Sequence, residues 1–522
     1  MPLIPGATAG AAPRARRRAP LTVDFGTLLI LANIVIAVLI VQGSLVSGGN
    51  EYTDGLTPVL GVLLCVQNIA ALALESRRRD PFVTLLGFFM TFYFALRVYT
   101  LMLFPFSGVF FRFQYTGADT DYALAFIIVA NLFIYAGLWV VRIDDDKLTV
   151  DVGRWRASSP LRASLLLLAA ILFGFFSAAY WTPENIPRAL NFLVLFFAQW
   201  IIILMALSYY ILFRRSFSLP VTIMFGLMVL AEIVLSILSG SRSAIVSTIQ
   251  AVMIVLLAIS GMIRVRAGVL ALGVLSLPLL VLLAGASFVI ATHNRVSKDA
   301  GEKFTVSRAM EFSRQGAESL GDDRDLNVLL PPIFARGGFF DFAAELIAHR
   351  KEYSSIFHLS TYYKSIVDNL LTPGFDVYDQ PKIGNALEFV YQDMGDPSKE
   401  IAEEFYQSDQ LEIYGEFYAL YAWASLPLFF LVAWLMKRTY VRLKARNPYM
   451  LTMKKVVTLF MWVEIINSFG FDWLAAEVFP LLVAIVMWRY FFACRLPRQR
   501  RRPAGGGMPH AAPPLQPGVL SA

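Results

Sequence analysis

The sequence predicts an all-α polytopic membrane protein of about twelve transmembrane helices, with a mostly helical extracytoplasmic loop domain between helices nine and ten. Three observations predict it. Apolar segments near the ~20 residues that a helix needs to cross ~30 Å of hydrocarbon recur along the chain. Lysine and arginine gather on every second junction between them. The composition, 57% hydrophobic and 14% aromatic over 522 residues, lies in the membrane range rather than that of a water-soluble globule.

In chain order the predicted spans cover 27–46, 56–74, 82–104, 122–141, 163–180, 189–213, 219–238, 244–260, 267–291, 416–436, 450–469 and 474–493. One set of junctions carries Arg14 to Arg18, Arg77 to Arg79, Arg142 to Arg162, Arg214 and Arg215, Arg264 and Arg266, Lys437 to Lys455, and Arg495 to Arg502. Together these hold more than half of the 45 lysines and arginines. The short junctions opposite carry Arg112, Arg188 and Arg242. By the positive-inside rule the basic set is cytoplasmic, both termini with it, and the long connection between spans nine and ten faces outward. The chain then divides into a cytoplasmic N-terminus (1–25), spans one to nine (26–292), an outward loop domain (293–413), spans ten to twelve (414–494) and a cytoplasmic C-terminus (495–522). Both ends are poor in apolar mass and are expected to be disordered. The first apolar segment lacks a clear small-residue cleavage site and reads as a retained helix.

The net charge of +7 resides mainly in the cytoplasmic junctions, where it anchors helix ends against anionic lipid. No soluble segment interleaves a basic stripe with aromatics, so no nucleic-acid partner is expected. The two cysteines, Cys65 and Cys494, sit within or at the end of spans and cannot staple the loop. No Cys/His cluster has zinc spacing.

Within the loop, helical periodicity appears in pieces too short to span. Thr305 to Ser319 reads as amphipathic; Asp341 can cap a helix to about Lys351; Ser360 can cap another that must stop before Pro373. Turn formers such as Gly337-Gly338 and Pro373-Gly374 separate these pieces. The expectation is a small helical cap lying on the membrane domain.

Four groups of polar residues stand in uncomfortable places. Arg242, in Ser239-Gly240-Ser241-Arg242-Ser243, falls in the first turn of span eight, where the positive helix end disfavours a cation. An anion bound by Ser241, Arg242 and free backbone N–H groups would repair this; the alternative is an interfacial arginine reaching for headgroups. His293 and Arg295 lie where span nine emerges, as a second anion site or as a solvated helix end. Arg336 precedes Asp341, Glu345 and His349, which at spacings of four share one helical face, either as a carboxylate–imidazole system or as a polar face in water. Asp409, Glu412 and Glu416 share another face at the opening of span ten beside Tyr414 and Tyr418, where acids also suit a helix N-terminus and tyrosines a membrane interface. Arg97 is a separate oddity, a charge within span three that needs a cavity or a partner.

These residues carry a resemblance. Gly240-Ser241-Arg242-Ser243 opening a span, a long outward loop with Arg336-Gly337 leading to Asp341, and Tyr414-Gly415-Glu416-Phe417-Tyr418 opening the next resemble the Wzy-type polymerases of bacterial O-antigen and exopolysaccharide assembly, over roughly Leu219 to Trp434. Ala422 and Ala424 depart from the pattern, standing where such polymerases often carry glycine. The resemblance implies a GT-C-like membrane glycosyltransferase, related to the O-antigen ligases, in the bacterial inner membrane with its large loop periplasmic. It implies transfer of glycan between undecaprenyl-diphosphate-linked donor and acceptor on the outer leaflet, without metal or other cofactor. A chain-length regulator is a conceivable further partner beside membrane lipids. On that reading Arg242, Arg295, Arg336 and Ser241 bind the diphosphate, bidentate guanidinium suiting that leaving group. The base comes from Glu416, Glu345 or His349, with Asp341, His293, Tyr414 and Tyr418 as further site candidates. No G-x-x-x-x-G-K nucleotide loop occurs, in keeping with a preactivated donor. A ligase or other lipid-linked glycosyltransferase is the alternative within the class. A lipid-linked glycan flippase is the alternative outside it, although no matched pair of Gly/Pro-broken spans is visible in two halves.

Overall fold

The structure, a computed structural model, describes residues 22–75, 80–103, 115–180, 200–238, 244–268, 270–272, 275, 307, 310–311, 314, 339–354, 356–370, 377–378, 383, 412–467 and 478–496. It is mostly helical, with several apolar helices of membrane-spanning length. Among the described residues, Phe25–Val46, Thr57–Glu75, Pro81–Leu103, Gly117–Val140 and Leu219–Ile237 are long and apolar enough to cross a bilayer as single helices. A sixth apolar stretch, Ile413–Arg442, has the same character but is not one helix, as shown below. Further helices Pro160–Tyr180, Trp200–Phe213, Ala244–Ser260, Pro448–Asn467 and Val478–Phe491 lie along other predicted spans. The expected ninth span, 267–291, and the amphipathic piece from Thr305 to Ser319 lie almost wholly outside the described residues.

Among the described residues, basic junctions meet at one end of the bundle. Thr22–Asp24 pairs antiparallel with Arg264–Arg266, and Arg156–Ala157 with Cys494–Arg495. The Val150 N–H donates to the Ile259 carbonyl at 2.9 Å, Lys455 reaches the Leu148 carbonyl at 3.2 Å, and the Tyr209 hydroxyl donates to the Ala493 carbonyl at 2.8 Å. Lys437 forms a buried ion pair with Asp80 and also donates to the Leu138 carbonyl. At the other end the Gly117 N–H donates to the Glu51 carbonyl at 2.8 Å and the Thr120 hydroxyl to the Tyr52 carbonyl at 2.7 Å. The first four long helices therefore run alternately up and down between a basic end and an end that carries the acidic loop segments.

The third of these helices is interrupted at its centre by a π-helical turn, Met90–Ala95. The Gly87 carbonyl there accepts from the Thr91 hydroxyl at 2.6 Å and from Asn68 at 3.1 Å, while Asn33 donates to Thr91 at 2.7 Å. These buried amides satisfy the Gly87 carbonyl and the Thr91 hydroxyl beside the interrupted turn.

Two departures from expectation define the site. The loop helix Phe339–Ala348 does not lie on the bundle as a cap but is sunk into it: Phe340, Ala343, Ala344 and Ile347 are buried among the spans, and Asp341 reaches Arg97 well inside the third helix. That insertion buries its apolar face and brings its acid to the arginine. A further loop helix, Leu359–Leu370, lies where the sequence predicts one, and its expected stop before Pro373 falls outside the described residues.

The tenth span is the second departure. Its apolar stretch is expected to run on from Glu416 as one helix, in which Tyr414 and Phe429 would stand about 22 Å apart at 1.5 Å per residue. Their rings instead stack with centroids 5.5 Å apart, and Phe417 meets Phe429 at 5.1 Å. Ile413–Tyr421 thus folds back on Leu426–Arg442 through the tight turn Ala422–Ser425. Only Leu426–Arg442 descends to the basic end, packed so closely on Gly117–Val140 that a Cβ at Gly137 would overlap the Phe430 carbonyl.

Candidate functional site

Ile413–Tyr421 and Phe339–Ala348 are two half-helices that lie side by side and run the same way, from inside the bundle toward its loop end. Gly415 permits their approach: a Cβ there would sit 2.8 Å from Leu346 Cδ1 and 3.3 Å from Ala343 Cα. Arg350, just past the first half-helix, donates through Nε to the Tyr418 carbonyl at 3.1 Å and the Ala419 carbonyl at 2.9 Å, satisfying the end of the second. That second helix then turns at Ala422, whose φ of 49° is a conformation that favours glycine.

The sunken ends of the two half-helices bring the acids together. Asp341, in the first turn of its helix, accepts from Arg97 Nε at 3.1 and 3.0 Å and from Arg97 Nη2 at 2.8 Å, and from the Tyr115 hydroxyl at 2.8 Å. Arg97 Nη1 completes its fork on the Thr100 hydroxyl at 3.3 Å. Both partners of the ion pair are buried to within a few per cent. Burial and the Asp341 charge together push the Tyr115 phenol well above its ordinary pKa, against the pull of Arg97, so it stands as a hydrogen-bond donor. Glu345 accepts the Tyr115 backbone N–H at 3.1 Å on one oxygen and the Tyr353 hydroxyl at 3.2 Å on the other.

His349 stands apart from the other expected base candidates. It shares the sequence spacing of Asp341 and Glu345, but the helix ends at Ala348, one residue before it. Its Nδ1 bonds Glu352 at 3.0 Å, whereas Nε2 remains 4.0 Å from Glu345, beyond hydrogen-bond reach. Burial works against its imidazolium, but the Glu352 hydrogen bond and the charges of Glu345, Glu352 and Asp119 outweigh it and raise the pKa above the histidine norm. The alternative of a polar helix face in water fails for Asp341 and Glu345, which are buried.

Tyr414 and Tyr418 are also taken. The Tyr414 hydroxyl donates to Asn131 at 2.6 Å, and Tyr418 shares a 2.8 Å hydrogen bond with Tyr122, itself approached by Trp423 Nε1 at 2.6 Å. Glu416 is buried one turn nearer the loop end than Glu412. Glu412 itself caps Ile413–Tyr421 in position only: its side chain makes no capping bond, it is fully buried, and neither carboxylate oxygen has a hydrogen-bond partner among the described residues. Burial, with the charge of Asp341 added, pushes its carboxyl well above the usual range.

Arg242, Ser241, His293, Arg295, Arg336 and Asp409 lie outside the described residues. Tyr115, Tyr353 and Arg350 are site residues with no local sequence signal: Tyr115 and Arg350 act through contacts distant in the chain, and Tyr353 reaches back to Glu345 from beyond the end of its helix. Among the described residues no group of three or more His, Cys, Asp or Glu side chains is arranged to hold a metal ion. The chemistry open to the cluster is hydrogen bonding and proton transfer at carboxyl and phenol groups, beside one guanidinium that is already committed. Compared with known proteins, the chain matches no family model, no curated protein and no solved structure.

Proposed function

We propose that this protein is a polymerase that joins undecaprenyl-diphosphate-linked oligosaccharide repeat units on the outer leaflet, as in O-antigen or exopolysaccharide assembly. The observation that carries the reading is the contact between two stretches that enter the resemblance, around Asp341 and around Gly415. The helix opened by Tyr414-Gly415-Glu416 lies against the loop helix of Asp341 and Glu345, at the end of the bundle away from the basic junctions. Its glycine is needed for that contact, and the backbone takes a glycine-favouring conformation at Ala422, where the polymerase pattern has glycine. Arg242, Arg295 and Arg336 are the proposed diphosphate ligands. Glu345 is now better explained as a positioning group than as the base, because both its oxygens are engaged.

A second reading, transport of the lipid-linked glycan, is favoured by one feature. Half-helices sunk into a bundle with their positive ends inside are a device of transporters. Both half-helices lie in the C-terminal part of the chain, however, not at matched positions of two halves. Deleting the gene and sizing the cell's glycans separates the readings. Single-repeat glycan that still reaches its final acceptor is the expected outcome. Lost attachment of full-length chains would replace polymerase with ligase, and lipid-linked repeats trapped on the cytoplasmic face would replace it with flippase.

A further inference from the structure

The geometry points to Glu412 as the carboxylate that binds the hydroxyl of an acceptor sugar and takes its proton, a role that rests on the polymerase reading. Asp341 is committed to Arg97 and Tyr115, and Glu345 to Tyr115 and Tyr353, while His349 holds Glu352 through Nδ1. Glu412 is fully buried, yet both its oxygens lack a partner among the described residues. A buried carboxyl left in that state is costly, and such a cost is retained where a ligand supplies the missing partners. Two free oxygens on one carboxyl match the paired hydroxyls of a sugar ring.

Its setting serves the chemistry. Glu412 stands at the sunken N-terminus of Ile413–Tyr421, where the positive helix end favours the ionised form once a polar ligand displaces apolar contact. Asp341, the charged group whose field reaches it, is neutralised by Arg97, so its repulsion is reduced. In the reaction the acceptor hydroxyl oxygen forms a bond to the anomeric carbon of the donor repeat. The bond from that carbon to the diphosphate oxygen breaks, the electron pair leaves on undecaprenyl diphosphate, and the hydroxyl proton ends on Glu412. Glu416, one turn along the same face, lies nearer the loop end and is the neighbour that a bound glycan would meet next.

The test uses the full-length protein in lipid nanodiscs, with undecaprenyl-diphosphate-linked oligosaccharide extracted from cells lacking the gene as donor and acceptor. Glutamine reproduces the shape and neutrality of the protonated acid, so a merely structural Glu412 would tolerate it. The expected result is elongation by the wild type and a kcat at least about 100-fold lower for Glu412→Gln. Half-saturation and unfolding temperature should be unchanged, and Glu412→Asp should retain partial activity because it keeps a carboxylate. Wild-type elongation with Glu412→Gln at a comparable kcat would overturn the role of Glu412 and leave the polymerase reading standing. A wild type that binds the probe without elongating it would overturn both.

Discussion

Arg97 and Asp341 satisfy one another so completely that neither can be changed alone. Asp341→Asn would leave a guanidinium buried without its counter-charge, at a cost of about 3–5 kcal/mol. The double variant Arg97→Met, Asp341→Leu removes both charges and should recover most of that loss in thermal unfolding of detergent-solubilised protein; a double variant no better than the single would mean that the pair is not the unit of stability. His349 carries a pH dependence of known sign. Its folded pKa is raised above the usual 6.5, so its contribution is complete below that value and disappears as pH rises through the folded value. The ring is partly exposed, so the effect is under about 1 kcal/mol. The stability gap between wild type and His349→Gln should therefore narrow from about pH 6 to about pH 9, and a gap that widened would refute the Glu352 pairing. Arg97 is legible in the sequence as a charge at a costly depth. Its partner is not, because 244 residues separate them and no local pattern distinguishes Asp341 from an acid complementing its own helix end.

At the scale of elements, the contact between Phe339–Ala348 and Ile413–Tyr421 depends on one missing side chain. Gly415→Ala would thrust a methyl group at Leu346, which can shift, and at the backbone of Ala343, which cannot. Activity and folded yield should both fall, and adding Leu346→Ala should restore part of each by opening the space. No rescue would mean that Gly415 is needed for its backbone freedom rather than for close approach. The individual helices are readable from the sequence because apolar length and turn residues are local properties. The reversal at Ala422 is not. The segment Ala422-Trp423-Ala424-Ser425 holds neither glycine nor proline, and Pro427 falls in the first turn of the following helix, where proline is tolerated. For the same reason the loop helix reads equally well as lying on the bundle or sunk into it, since an apolar stripe does not name the surface that covers it.

For the whole molecule, charge asymmetry and packing answer different halves of one question. Packing gathers the junctions around Asp24, Asp80, Leu148, Ile263, Asn447 and Ala493 at one end, through strand pairs and carbonyl contacts that owe nothing to a membrane. It does not say which compartment that end faces. The density of arginine and lysine does, because basic junctions resist translocation and are held by anionic lipid. The two arguments are independent, so their agreement on which junctions belong together makes the sidedness a sharp prediction. Reporter fusions near Asp144, Arg264 and Lys444 should report the cytoplasm, and fusions near Gly301 and Asp396 the outside. Placing the reporters at both kinds of junction matters. An inverted but internally consistent pattern would keep the bundle and put the Asp341–Glu412 cluster in the cytoplasm, where an outer-leaflet transfer is impossible. A mixed pattern would instead break the shared end itself, and with it the strand pairs that tie Thr22–Asp24 to Arg264–Arg266.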